Sequence, residues 1–430
     1  MTAAAGFAGH TKEKSMGTSV PYMTLLNDFL VQKHDWAATG KEPDAAVREL
    51  RYCMEQQEKR LKEKGIILDE QYAFREGDIA NCMNVTGGSS PFRNHTVYRE
   101  TLRTREFLRG DRKLRRDVTP LVLYANVTDH SGAGGDFAVN CPNCGSVAMA
   151  SELENGCPYC GTFFRMRDLY PRISSYYCVE QVMDRYKATE RLKKTFLTIA
   201  IALASLFFAV FMFEGKEYQL AFRILRALFS GCMLGAICTF GCYMAYSLFL
   251  LAKLFGMAGG SLAMLPGISA RKKLARALES YDPGFSLEVF EGKIISRLKT
   301  ILFSDDRGSL NLYEGTDDLS CFDDLVNMDY RGAFKVRRSG THDGHVMLEL
   351  EFFMEDFYMD SRLRRKKERL IVDVERKLDA VTDPGYSISA VKCPNCGSSF
   401  DALHKKECPY CGSSYRMDED DWLITGIRKL

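Results

Sequence analysis

Residues 195–213 read TFLTIAIALASLFFAVFMF, nineteen positions without a charge. As a helix rising 1.5 Å per residue this run spans about 28 Å, close to a hydrocarbon core of about 30 Å. A second uncharged run, residues 227–252, is longer, and only residues 214–226 separate the two. Soluble core helices rarely go this far without a polar face. The runs therefore predict an antiparallel transmembrane hairpin over 195–252. Gly231 with Gly235 makes a GxxxG, and Ala200 with Ala204 a small-xxx-small row, spacings that let helix backbones approach closely.

The flanking charges orient the hairpin. Arg185, Lys187, Arg191, Lys193 and Lys194 precede the first run, and Lys253, Arg271, Lys272, Lys273 and Arg276 follow the second, whereas the connection holds only Lys216, Arg223 and Arg226. The positive-inside rule places both termini in the cytoplasm of a two-pass protein of the cell membrane. The glycosylation-type tripeptides at Asn84, Asn94 and Asn126 point the other way, but such triplets are frequent by chance. The amino-terminal stretch MTAAAGFAGHTKEKSMGTS has no apolar core and reads as a disordered tail.

Eight of the fifteen cysteines form two matching sets. Cys141, Cys144, Cys157 and Cys160 make CPNC-x12-CPYC; Cys393, Cys396, Cys408 and Cys411 make CPNC-x11-CPYC. Two residues between thiols let both sulfurs of a pair meet one ion, and two pairs complete a tetrahedron around Zn²⁺. Gly145, Gly161, Gly397 and Gly412 follow the pairs and suit the left-handed turn that aims backbone N–H groups at sulfur. Two structural zinc ions are expected, since neither set leaves an open ligand position. Charge balance would come from Arg165 and Arg167 or from Lys392, Lys405, Lys406 and Arg416. A disulfide framework does not fit, because the other cysteines show no framework spacing.

The repeat extends beyond the cysteines. YCGTFFRM at 159–166 matches YCGSSYRM at 410–417, and RKLRRD at 112–117 matches SRLRRK at 361–366, each of the latter leading into a β-rich segment. His95 and His345 open the preceding runs at nearly equal distances. In the second copy Phe285, Val289, Ile294, Leu298, Ile301 and Leu302 keep a helical period behind an N-cap candidate, Ser286. Strands are expected at 333–338, 345–359, 369–376, 386–391 and 422–427, with a hairpin turn at Asp343-Gly344. The fold class is α+β: two related helix-plus-antiparallel-sheet modules, cone-like, each with a zinc ribbon, joined by the transmembrane hairpin. The expected order is a tail (1–20), a divergent module (21–140), a ribbon (141–170), a linker helix (171–194), the hairpin (195–252), a linker (253–280), a second module (281–392), a ribbon (393–416) and a returning strand with tail (417–430).

The stretches YDPGFSLEVFEGKIISRLKTILFSDD, DYRGAFKVRR and DDWLITGIR resemble the bacterial Tim-forty-four-like domain over residues 281–430, with a weaker echo in 21–170. That resemblance implies a cone of helix on sheet and a membrane-associated scaffolding role. The family's import scaffold lacks these ribbons and this hairpin, so neither import activity nor a partner is implied.

The functional expectation is a non-enzymatic scaffold or adaptor presenting zinc-stapled modules to an unidentified protein partner or to the cytoplasmic lipid surface. Arg112, Arg115, Arg116, Arg364 and Arg365 are candidates for lipid headgroup contact, the competing reading being solvated hairpins balanced by neighbouring acids. No P-loop, dinucleotide, HExxH or GxSxG motif appears, and no catalytic or cofactor-binding residue is assigned. His342 and His345 flank a turn and are expected to face solvent, while Cys321 and the thiols of the second span are expected to pack. A net charge of +2 and no basic-aromatic stripe argue against the alternative of a membrane-tethered nucleic-acid-binding ribbon. A ligand-binding cone is the other alternative.

Overall fold

In the computed structural model the chain reverses at Asp343 and Gly344, both with positive φ (47° and 76°), the twist that matches a tight antiparallel hairpin. The described residues are 20–74, 81–85, 90–130, 136–180, 185–214, 219–261, 274–282 and 284–430; most of the expected tail lies outside them. They fall into two compact units, one drawn from Met1–Glu180 and Ser269–Leu430, the other from Gln181–Ile268.

The first unit is α+β and carries two four-strand antiparallel paths built in the same order. Helix α1 (Val20–Thr39) and helix α2 (Arg48–Glu63) precede a sheet ordered β1 (Ile67–Phe74), β3 (Phe92–Arg109), β4 (Arg112–His130) and β7 (Arg172–Glu180), with β2 (Asn81–Val85) also paired to β3. Between β4 and β7 lie β5 (Ala138–Asn140), β6 (Val147–Met149) and the short helices α3 (Ala150–Asn155) and α4 (Met166–Leu169). The second unit's helices, α5 (Arg185–Glu214) and α6 (Leu220–Ser261), follow. The chain then re-enters the first unit, where helix α7 (Leu287–Phe303) precedes a sheet ordered β8 (Leu325–His342), β9 (His345–Met359), β10 (Leu363–Lys377) and β13 (Leu423–Lys429). The cysteine hairpin β11 (Val391–Lys392) and β12 (Ser399–Phe400) lies between β10 and β13.

Sequence pattern accounts for these elements. Val346, Leu348, Leu350, Phe352 and Met354 alternate along β9 and are buried together with Ile294, Leu298 and Ile301 of α7, so a period of two meets a period of 3.6. Each such side chain contributes on the order of 2 kcal/mol. Ser286 caps α7 by accepting from the Val289 N–H at 3.5 Å.

Three expectations change. Residues 171–194 were to be a linker helix; instead β7 occupies 172–180 and pairs with β4, and helix begins at Arg185. The segment RISSYYCVE is rich in β-branched and aromatic residues, and Ile173, Ser175 and Tyr177 alternate inward. Residues 386–391 are no strand, because Ser387 and Ser389 turn toward the Glu49 carboxylate on α2 and only Val391-Lys392 pairs. The linker over 253–280 is in part helix, since α6 runs to Ser261.

The two sheets share one unit because their contacts are specific. Arg60 of α2 is buried and donates to the Leu302 and Phe322 carbonyls at 2.8 and 2.9 Å. Arg103 and Arg105 of β3 both reach Asp329 of β8. Gly332, at φ 79°, lets β8 pass Val179 of β7, where a Cβ would overlap the valine side chain.

In the second unit, Lys194–Phe213 and Leu220–Leu248 are long and apolar enough to cross a membrane. Leu197, Phe213 and Phe229 are more than 60% exposed, as suits hydrocarbon and not water. Gly231 and Gly235 pack on Ala204 and Phe208, and a Cβ on Gly235 would sit 2.9 Å from the Ala204 Cα. Gly235→Leu is therefore expected to destabilise the helix pair by about 1–3 kcal/mol. Gly241→Leu, with nothing within 4 Å of its Cβ, should be neutral. Thermal melts of the detergent-solubilised chain compare the two, and equal melting temperatures would contradict the close packing.

Candidate metal centres

Each cysteine pair sits in a tight turn of one repeated design. The N–H of the glycine after the pair bonds the carbonyl of its first cysteine: Gly145 to Cys141, Gly161 to Cys157, Gly397 to Cys393 and Gly412 to Cys408, at 2.8–2.9 Å. All four glycines have φ between 72° and 74°, a conformation that side chains resist. The first turn of each set joins a pair of strands, β5 with β6 and β11 with β12, and the second turn follows that hairpin in the chain.

The four sulfurs of each set lie within 4.8 Å of one another. Closest separations are 3.7 Å for Cys141–Cys160, 3.8 Å for Cys144–Cys157, and 3.7 Å for both Cys393–Cys411 and Cys396–Cys408. A tetrahedron with metal–sulfur bonds of about 2.3 Å has edges of about 3.8 Å. The residues therefore fit a four-sulfur ion, and the first and third cysteine of each set are buried while the others are exposed.

Neutral donors surround the sulfurs. Asn143 Nδ2 is 3.5 Å from Cys160 and Asn395 Nδ2 3.5 Å from Cys411. Ser146 lies 2.9 Å from Cys144, and Ser413 lies 3.0 Å from Cys411. Of the cations expected to balance the second set, Lys392, Lys405, Lys406 and Arg416, the last is instead held by Glu314, Glu375 and Asp418. The motif letters CPNCGS carried this signal, although cations in sequence drew the attention. Burial pushes the Cys141 thiol up to about 12 and the Cys408 thiol up to about 11. The Thr162 hydroxyl draws Cys160 down to about 6, and the Ser413 hydroxyl draws Cys411 down to about 6. A bound cation is what would make all four of each set thiolates at neutral pH.

The two hairpins meet. Asn140 Nδ2 donates to the Ser389 carbonyl at 3.0 Å, and Ser389 Oγ donates to Asn140 Oδ1 at 2.8 Å. Tyr159, whose pKa is raised by the nearby Tyr410, and Tyr410 itself are each about 60% exposed, and Phe163 is exposed as well. This pairing of two metal hairpins was not visible in either hairpin's sequence.

The other candidates are placed as follows. Arg112, Arg115 and Arg116 lie at the start of β4 and Arg364 and Arg365 at the start of β10. Arg115 pairs with Asp117, Arg116 with Glu106, Arg364 with Asp360 and Arg365 with Glu355, the acid-balanced pattern. His342 is exposed as expected, but His345 is half-buried with Nε2 3.0 Å from Asp418, because β9 lies against the segment returning from the second hairpin. Cys321 is exposed, as are Cys232 and Cys242, so these do not pack as expected. Asn94 and Asn126 are buried, and Asn126 donates to Ser175 at 2.9 Å, which removes both as folded-state glycosylation acceptors.

A buried ionic cluster went unseen in the sequence. Lys33, Glu70, Arg103, Arg105 and Asp329 come from four elements, α1, β1, β3 and β8. Burial alone would raise the Asp329 carboxyl, but Arg103 and Arg105 outweigh it and hold the group far below the carboxylate range. Glu70, against the same burial, is held at about 2 by Lys33 and Arg103.

Comparison of the chain with family models, with curated proteins and with solved structures returned no match.

Proposed function

We propose that the protein is a non-enzymatic scaffold or adaptor of the cell membrane, crossing it twice with both termini in the cytoplasm and displaying two related modules, each stapled by a structural zinc ion. The carrying observation is the pair of four-sulfur clusters on adjoining hairpins, in a chain that also has two helices of spanning length. Four sulfurs leave no position for water or substrate, so the ions would hold shape and not perform chemistry. The matching four-strand path in each half, with a cysteine hairpin inserted before the last strand, supports a duplicated module, the first copy adding a helix and the extra strand β2.

A protein partner is favoured over lipid, since the basic hairpin starts already have acidic neighbours, whereas Tyr159, Phe163 and Tyr410 are exposed aromatic side chains on the two hairpins. Aromatic anchors of this kind dominate interface energies. In membrane crosslinking and affinity capture, the double variant Tyr159→Ser, Tyr410→Ser should retain its metal yet lose about tenfold of any specifically captured protein. Unchanged capture, or capture of nucleic acid in place of protein, would contradict the reading.

A further inference from the structure

A cleft of about 110 Å³, open to solvent, lies inside the first unit between α2, α7, the start of β7 and the segment 384–390. Its charge is unusual: Arg48, Arg51, Arg172, Lys293 and Arg297 line it against a single lining acid, Glu49.

The cations are unequally satisfied. Lys293 and Arg297 share Asp421 at 2.7 and 2.8 Å, and Glu49 is engaged by Ser387 and Ser389. Arg48 reaches Asp401 only at 3.7 Å. Arg51 pairs with Glu42 through Nη1, but its buried Nε has no hydrogen-bond partner. Arg172 is fixed through Nε to the Leu169 carbonyl at 2.6 Å and, among the described residues, makes no ion pair with a carboxylate within 4 Å. Burial and the neighbouring Arg51 make its positive charge costly, lowering its pKa. No side chain caps the α2 N-terminus at the same wall. The remaining lining includes Leu169, Leu312, Ile388 and Leu403, which offer nothing to a hydrated ion.

We propose that this cleft binds a small molecule with an oxyanion head and an apolar body, the head taken by Arg172 with Arg51 and Arg48, the body lying on the leucine and isoleucine side chains. A guanidinium fork matches carboxylate or phosphate oxygens two at a time. A half-buried cation with no carboxylate in hydrogen-bond contact, as at Arg172, is costly, and an anionic guest would relieve that cost. The other cation-rich cavity, at Arg103, already has Asp329 and Glu70 and lacks this vacancy for charge.

The test is calorimetric titration of the full chain in phosphatidylcholine nanodiscs with phenyl phosphate, with phenol as the uncharged control. Saturable binding of phenyl phosphate and none of phenol are expected, with Arg172→Gln weakening binding at least about tenfold. Should Arg172→Gln lose its metal and fold, Arg48→Glu, at a half-exposed rim position, carries the same expectation. Nanodiscs containing phosphatidic acid separate the sources: lipid that competes with phenyl phosphate in an Arg172-dependent way makes the head a membrane lipid's. Absence of any arginine-dependent binding to phenyl phosphate or phosphatidic acid overturns the proposal, as does phenol binding as tightly as phenyl phosphate.

Discussion

Cys393→Ser is expected to remove one of two metal ions and to destabilise the whole second sheet, whereas Cys141→Ser removes the other ion with a smaller, local effect. The asymmetry follows from packing. Cys393 and Cys408 belong to the main core, with α7, β9, β10 and Trp422. Cys141 and Cys157 sit in a small separate cluster with Ala148, Leu153 and Leu169. Structural zinc contributes on the order of 10 kcal/mol of apparent binding energy, comparable with the total stability of a domain, about 5–15 kcal/mol. Losing the Cys393 site should therefore bring unfolding of the second sheet close to physiological temperature, visible as a lost thermal transition and as proteolysis within β9 or β10. Losing the Cys141 site should confine proteolysis to residues near 138–170. Equal effects of the two substitutions would contradict the assignment of one ribbon to the main core.

Asp329→Ala is the second large expectation. Asp329 is the shared acceptor for Arg103 and Arg105, whose side chains are 8% and 2% exposed. Removing it leaves two buried guanidinium groups of β3 facing β8 without their shared carboxylate, at a cost of about 3–5 kcal/mol. The same cluster sets a pH dependence. Its carboxyls have folded pKa values depressed below the unfolded value of about 4, with Glu70 at about 2 and Asp329 lower. The stabilisation is full above about pH 4 and is lost as pH falls through the folded values. Wild type should thus lose stability steeply between pH 4 and 2, and Asp329→Ala should flatten that slope. A variant melting within 2 °C of wild type at neutral pH would mean that the cluster is not a structural tie; a slope that stays steep would show that other carboxyls dominate.

What the sequence made legible were features encoded within a few neighbouring residues. Asp343-Gly344 specified its turn, alternation placed β9 over 345–359, Ser286 specified the start of α7, and CPNCG specified a knuckle with glycine in the left-handed region. Gly231 and Gly235 likewise found Ala204 on the neighbouring helix. Features encoded by separation in the chain were not legible. β7 reads as part of a linker helix in sequence because its role depends on pairing with β4, some fifty residues earlier. The Arg103–Asp329 tie spans 226 positions, and no local pattern distinguishes those residues from surface charges. Arg416 illustrates the converse: proximity to cysteine in sequence suggested balance for sulfur, while the fold turns its guanidinium toward three carboxylates. The cleft at Arg172 and the pairing of the two hairpins belong to the same class, since each is assembled by both halves of the chain.

The central claim is that two four-sulfur zinc sites hold the paired hairpins. X-ray absorption at the zinc edge, with metal analysis of the purified full chain, tests it most directly. The account predicts two zinc ions per chain, each with four sulfurs at about 2.3 Å and no nitrogen or oxygen ligand. A mixed ligand shell, or a fully folded chain carrying less than one metal ion, would contradict it.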